Sequence, residues 1–249
     1  MLFLLDALNR FLNRLFAGPI DALLPHLGVH PAQAKAPITN ALTLELVVFF
    51  LLVLFFVLVR MTLSVEKPGV IQITAESIYE FVGGQGESII GHGYERHMPL
   101  AASIALFVLG CNLIGLLPGI STPTSSPEVP LGLALLTFVY YNSVGLLANG
   151  PIGYVKHFMG PVWWMAPFML PLEIISHIAR ILSLTVRLYA NMFASDLLTL
   201  VFFSLIPIGI PIVFLGLHFA VAVIQAYVFM LLMMIYVSGA VTHDEEGAL

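Results

Sequence analysis

The chain alternates between long apolar runs and short polar breaks, and the breaks decide its architecture. Residues 41–63, "ALTLELVVFFLLVLFFVLVRMTL", form an apolar run that ends near Arg60. About 20 apolar residues cover a hydrocarbon core of roughly 30 Å, so this run predicts a membrane-crossing helix. Pro68-Gly69 breaks the chain. A second span is predicted over 98–117, stopped by Pro118-Gly119, and a third over 131–148, ended by Asn149-Gly150-Pro151. Two more apolar stretches, near 165–206 and 211–241, are divided by Pro207 and Pro211. Residues 70–90 mix Ile, Phe and Val with Glu76, Glu80 and Glu87, which predicts an amphipathic helix on the surface. "GHGYERH" reads as a connector, and "ISTPTSSPEVP" as a turn-rich loop. Leu4, Leu5, Leu8, Phe11, Leu12 and Leu15 recur at helical spacing opposite polar residues, which suits a helix lying in the interface.

The expected fold is all-α, with five transmembrane helices plus amphipathic surface helices. Residues 1–40 would be an N-terminal amphipathic helix and linker, and 41–249 a single polytopic membrane domain. The fourth stretch is overlong: helical from about 168 to 206, it would reach roughly 55 Å at 1.5 Å per residue. With the long fifth stretch it predicts a tilted hairpin with a broad flank for a neighbour.

Composition agrees with this pattern. The chain is 59% hydrophobic and 9% charged, whereas soluble domains devote about a quarter of their residues to charge. A transmembrane barrel would alternate at roughly ten-residue spacing, and these runs are continuous and Leu-rich. The single cysteine, Cys111, offers neither an internal disulfide nor a metal set and reads as packing. No metal or cofactor is expected, and no nucleic acid partner. The N-terminus is a poor signal peptide, since Asp6, Asn9, Arg10, Asn13 and Arg14 interrupt its apolar run. Small-residue "AQAKA" at 32–36 keeps a cleaved leader as the alternative. With no mitochondrial-type transit segment either, a bacterial plasma membrane is expected. Arg60, Lys67, Arg96 and Lys156 fall on one side of a five-crossing chain, while the loop 118–130 and the turn 206–211 contain no Lys or Arg. The positive-inside rule then places the N-terminus outside and the C-terminal "HDEEGAL" in the cytoplasm, against the weaker weight of Arg10, Arg14 and Lys35.

Against this apolar background the charges stand out. At ~100° per residue, Ser183 and Asn191 share a helix face with Arg187, and Arg180 and Glu173 return close to it. The stripe Glu173–His177–Arg180–Ser183–Arg187–Asn191 is polar on an oily rod. Asp196 lies nine residues beyond Arg187, about 14 Å along the axis and on the opposite side. In the last stretch His218 and Gln225 share a face, and antiparallel pairing brings His218 toward Asp196 and Gln225 toward Arg187. A charge at mid-membrane costs about 2.5–3.5 kcal/mol on insertion scales, which something must offset. Neither acid of the hairpin is within four residues of Arg187, so an ion pair within its own helix turn does not explain it. Taken singly, Arg180 suits snorkelling to the surface, His218 a satisfied bundle histidine, Gln225 interhelical glue, and Glu173 and His177 solvated positions. The combination reads otherwise. Arg holds its proton at any physiological pH, so it can block and attract but cannot relay. Asp and His can relay. Two half-routes separated by a fixed cation, bridged by a mobile carboxylate on a partner, fit this set.

"SLTVRLYANMFASDLL", "LHFAVAVIQAYVF" and "CNLIGLLPG" strongly resemble the a subunit of bacterial rotary (F-type) ATP synthases, over residues 40 to 241. The most specific elements are the Arg-x-x-x-Asn motif and the His-x₆-Gln pair; the less distinctive run Asn112 to Gly119 adds support. The resemblance implies that Arg187 is the essential arginine and that Ser183 and Asn191 are polar residues around it. It implies that Gln225 faces the arginine, that His218 and Asp196 belong to the outer half-channel, and that Glu173 lies near the inner route. Asp196 stands where relatives often have Glu or His, which retains a titratable group. The family's partners, a c-ring and peripheral-stalk b subunits, would be this chain's partners, with protons and the bilayer. It would have no catalytic site of its own, being a subunit of the H⁺-transporting two-sector ATPase, and no GxxxxGK[ST] appears. The rivals are a self-contained secondary transporter, expected to carry internal repeats, and a non-transporting membrane scaffold.

Overall fold

The computed structural model describes residues 5–14, 39–64, 68–117, 120–159, 166–205 and 209–241. Lys35, the 32–36 stretch, Lys67, Pro118, Gly119, Pro207 and the C-terminal 243–249 lie outside the described residues. The described residues are all helix and connection, with no strand among them: α1 (5–14), α2 (Asn40–Met61), α3 (Val70–Ile90), α4 (Met98–Ile114), α5 (Glu128–Met159), α6 (Ala166–Leu205) and α7 (Ile210–Val241). Short 3₁₀ turns sit at Tyr94–Arg96 and Pro123–Ser125.

Local chemistry accounts for the boundaries. α2 starts where the Thr39 hydroxyl accepts the Leu42 amide at 3.3 Å, relieving one orphan donor. It carries Arg60 in its last turn, where a cation meets the negative end of the helix dipole. α4 takes Pro99 in its first turn, where a missing N–H costs nothing. It ends at Ile114, a few residues before the expected 117, because 115–117 turn away. α5 continues past the expected stop at 148 but breaks at Gly150, whose φ of 67° is left-handed. Pro171 is carried inside α6 near its start.

Among the described residues four helices are long and apolar enough to cross a membrane: Asn40–Met61, Glu128–Leu147, Pro171–Leu205 and Pro211–Val241. α4, at 17 residues, is apolar but shorter. At 1.5 Å per residue it reaches roughly 26 Å, just under the hydrocarbon thickness. α3 keeps Glu76, Glu80 and Glu87 exposed while Val82, Gly83 and Gly86 are buried.

The core lies where α4, α5, α6 and α7 meet, with α3 against one end. It holds Val82, Met98, Ala101, Ile104, Val108, Ala134, Leu184, Leu188 and Met192, and from α7 Phe229, Met230, Met233 and Met234. Between apolar helices in lipid, cohesion comes from close van der Waals packing, and the pliable methionines fill irregular gaps. Side-chain bonds tie the helices at defined levels. Ser238 donates to the Ile89 carbonyl at 2.8 Å, and the Tyr227 hydroxyl to Gln85 Oε1 at 3.2 Å. Such bonds contribute on average about 0.6 kcal/mol each inside a bilayer.

Candidate functional site

α6 and α7 run antiparallel from the turn near Gly209, and three polar levels lie along them. At the turn-side level the Asp196 carboxylate accepts the Thr122 amide on Oδ2 at 2.9 Å and the Thr122 hydroxyl on Oδ1 at 2.6 Å. The second distance is that of a charge-assisted bond. His218 Nδ1 is 3.7 Å from Asp196 Oδ1, while its Nε2 is 3.2 Å from the Asn112 carbonyl oxygen. Thr124 donates to Asn112 Oδ1 at 2.6 Å. His218 is buried, and the Asp196 side chain retains 20% exposure, so the cluster has one wet side.

Nearer the middle, Asn191 Nδ2 donates to Gln225 Oε1 at 3.3 Å. Arg187 is one helical turn further from the hairpin turn and half-buried. Among the described residues no carboxylate lies within ion-pair distance of it. Ser183 and Asn191 are exposed beside it, amid exposed Leu182, Val186 and Phe193. Gln225 is buried, and its Nε2 has no partner among the described residues. Buried donors are nearly always satisfied, so an orphan beside a charged face marks a place for another group.

The third level is near the start of α6. The Tyr141 hydroxyl, from α5, is hydrogen-bonded to His177 Nδ1 at 2.6 Å. The other ring nitrogen, Nε2, is 3.6 Å from Glu173 Oε1. Tyr141 stacks on His177 with ring centroids 5.8 Å apart. Arg180, rather than reaching freely for the surface, lies with its Cζ 5.4 Å from the Tyr236 ring centroid. A cation over an aromatic face gains about 0.5–2 kcal/mol, more as it is desolvated. Glu173 is more open, at 36% exposure.

The structure thus brings Asp196 to His218 and Asn191 to Gln225, and leaves Glu173 with His177 at the other end. Arg187 separates the levels, about 14 Å from Asp196 and about 21 Å from Glu173 along the helix. Thr122, Asn112, Thr124 and Tyr141 are the residues that sequence reasoning missed. Asn112 carried a signal, as a polar residue inside the apolar run before Pro118-Gly119. Thr122 carried none, because it sits in a loop read as punctuation. Below α5, His97 caps α4 with Nδ1 2.9 Å from the Tyr140 hydroxyl. Burial first, and the Arg96 guanidinium second, push its pKa below the ordinary histidine value.

The family model described as "ATP synthase A chain" matches residues 42–238. The chain is similar to "ATP synthase subunit a" of Koribacter versatilis, 51% identical over 236 residues, which are 95% of this chain and 96% of that one. It is 45% identical to the protein of that name in Solibacter usitatus over 93% of this chain and 99% of the relative. For Helicobacter hepaticus the identity is 41%, over 79% and 89%. Matched along nearly all of its apolar helices and through all three polar levels, this chain belongs to the ATP synthase A chain family.

Proposed function

We propose that this chain is the membrane stator of a rotary ATP synthase, forming two offset half-channels against a c-ring and coupling proton flow to ring rotation. Its setting would be the bacterial inner membrane, crossed five times with α4 as the short span, the N-terminus outside and the C-terminus cytoplasmic. The turn-side level then faces the outside, and Glu173 the cytoplasm. Peripheral-stalk b subunits would hold the chain against the turning ring.

The observation that carries this reading is Arg187. A permanent cation, half-buried in an exposed apolar face and lacking a carboxylate among the described residues, calls for an acid from another chain. A proton entering from the outer side through water near Asp196 and His218 neutralises a ring carboxylate, which can then move into lipid. A returning protonated carboxyl gives up its proton toward Glu173, is then held as a carboxylate by Arg187, and passes on with Gln225 and Asn191 shaping the meeting place. At ~4 Å and an effective dielectric of about 20 the pair is worth about 4 kcal/mol. The membrane potential supplies about 2.3 kcal/mol per charge for each 100 mV, which is comparable, so the pair biases position without locking the rotor. Because Arg187 keeps its proton, the half-routes never join into a leak.

The test is Arg187→Ala in the assembled complex in membrane vesicles. The expected result is loss of proton-driven ATP synthesis with normal subunit content. Full synthesis with that side chain removed would falsify the reading in favour of a scaffold. Robust ion transport by the purified chain alone in liposomes would favour a self-contained transporter.

A further inference from the structure

Four contacts at the turn-side level interlock. The Asn112 carbonyl lies 3.2 Å from His218 Nε2, and a carbonyl only accepts, so the neutral ring carries its hydrogen there. Nδ1 is therefore bare, and it faces Asp196 Oδ1 at 3.7 Å. On the far side of that carboxylate, Thr122 occupies both oxygens with its amide and hydroxyl. Thr122 is only 1% exposed. It reaches this position because residue 115 is glycine: a Cβ there would stand 1.9 Å from Thr122 Oγ1. The loop is closed behind it, since Ser125 donates its hydroxyl to the Thr122 carbonyl at 2.7 Å and its amide at 3.0 Å.

Resting on the reading of Asp196 and His218 as proton carriers, we propose that Thr122 is the positioning residue of this site, holding Asp196 against the single open nitrogen of His218, so that the ring takes and returns its proton at Nδ1 alone. The step balances within the pair. A proton on the Asp196 carboxyl leaves its oxygen as the bond to Nδ1 forms, giving an imidazolium and restoring the carboxylate. It departs by the same nitrogen, because Nε2–H is spent on an oxygen that cannot carry it onward. The gap of 3.7 Å is longer than a hydrogen bond, so transfer needs a sub-ångström approach or one bridging water. His218 is then a side store of charge next to the route and not a two-sided link in it. Other titratable side chains toward this end include Glu45 of α2, Cys111 of α4 and Glu128 at the start of α5, with Glu45 and Glu128 close enough to repel, and α1, which carries Asp6, Arg10 and Arg14, meets the head of α2 through Asn9 and Asn40.

The experiment is ATP-driven proton pumping by the assembled complex in vesicles, measured across pH. Thr122→Val keeps the amide and the shape and removes only the hydroxyl. It is expected to slow pumping about tenfold, the scale of a lost bond to a charged group, and to displace the pH profile. Thr122→Ser should restore both. Gly115→Ala should slow pumping at least as much as Thr122→Val, because the added methyl would stand 1.9 Å from the Thr122 hydroxyl and 3.0 Å from its Cβ. In complex labelled with ¹⁵N-histidine, the neutral His218 ring should show its hydrogen on Nε2. A wild-type rate and pH profile in Thr122→Val, or a neutral ring protonated on Nδ1, overturns the inference. Asp196→Ala separates the two levels of argument. If it stops pumping while Thr122→Val does nothing, only the present inference fails; if it leaves pumping unchanged, the reading of Asp196 as a proton carrier fails with it.

Discussion

The two arms of the hairpin are built on opposite plans. Over its apolar stretch 44% of α7 is buried, against 11% of α6. α7 sends Ala222, Gln225, Ala226, Phe229, Met230, Met233, Met234 and Val237 into the bundle. α6 contributes one narrow line, Leu184, Leu188 and Met192, and leaves Ile175, Ile178, Leu182, Val186, Phe193, Leu197 and Leu200 outside. The charges divide the other way. α6 carries Glu173, Arg180, Arg187 and Asp196, and α7 carries no Asp, Glu, Lys or Arg. Exposed apolar surface alone would mean lipid. An arginine in that surface with no carboxylate beside it among the described residues fits a protein neighbour better than lipid, because lipid tails offer a guanidinium nothing. α7 is the arm that holds the bundle together, and α6, on the proposed function, the arm that meets the ring.

Substitutions on the two arms should therefore fail in different ways. The largest effect is expected from Arg187→Ala, with coupling lost and the fold kept. Arg187→Lys sharpens the point: a desolvated lysine can shed its proton, so ATP synthesis should fall strongly, and vesicles holding normal coupling would count against the fixed-cation role. On α7, Phe229→Ala should cost about 3–5 kcal/mol of stability, whereas Ile178→Ala on exposed α6 should stay within roughly 0.5 kcal/mol. Heating the complex with a thiol reagent and following Cys111 by mass spectrometry would measure this, since that side chain is fully buried until the bundle opens. Equal labelling temperatures for the two variants would erase the distinction. Tyr141→Phe removes the hydroxyl bonded to His177 and should destabilise by about 1 kcal/mol, read in the same way. The smallest effect is a pH dependence at the foot of α4. The folded His97 ring resists protonation, so the unfolded chain takes the proton first. Stability should fall as pH drops below about 6.5, the ordinary histidine value, and level off once the folded ring is also protonated. His97→Gln should flatten that slope, and an unchanged slope would assign it to another group.

The helices were largely legible in the chain because proline, glycine and long apolar runs act locally. The run at 41–63 became Asn40–Met61, and the long stretch at 168–206 became Ala166–Leu205. The Asp196–His218 approach was also readable, since an antiparallel hairpin with a short turn fixes which levels meet. The partners that complete the site were not. Thr122 is 74 positions from Asp196, and Tyr141 is 36 from His177. Periodicity reports which face a residue occupies on its own helix, and not which loop comes to rest against it. Arg180 illustrates the same limit: its stem and charge suggested the surface, but Tyr236 on the other arm supplies an aromatic face.

The grip of Thr122 on Asp196 also bears on biogenesis. Synthesis runs from the N-terminus, so α4 and its following loop are in the membrane before α6 leaves the ribosome. The donors for the acid are waiting when it arrives, and the aspartate need not sit bare in the bilayer while the hairpin closes.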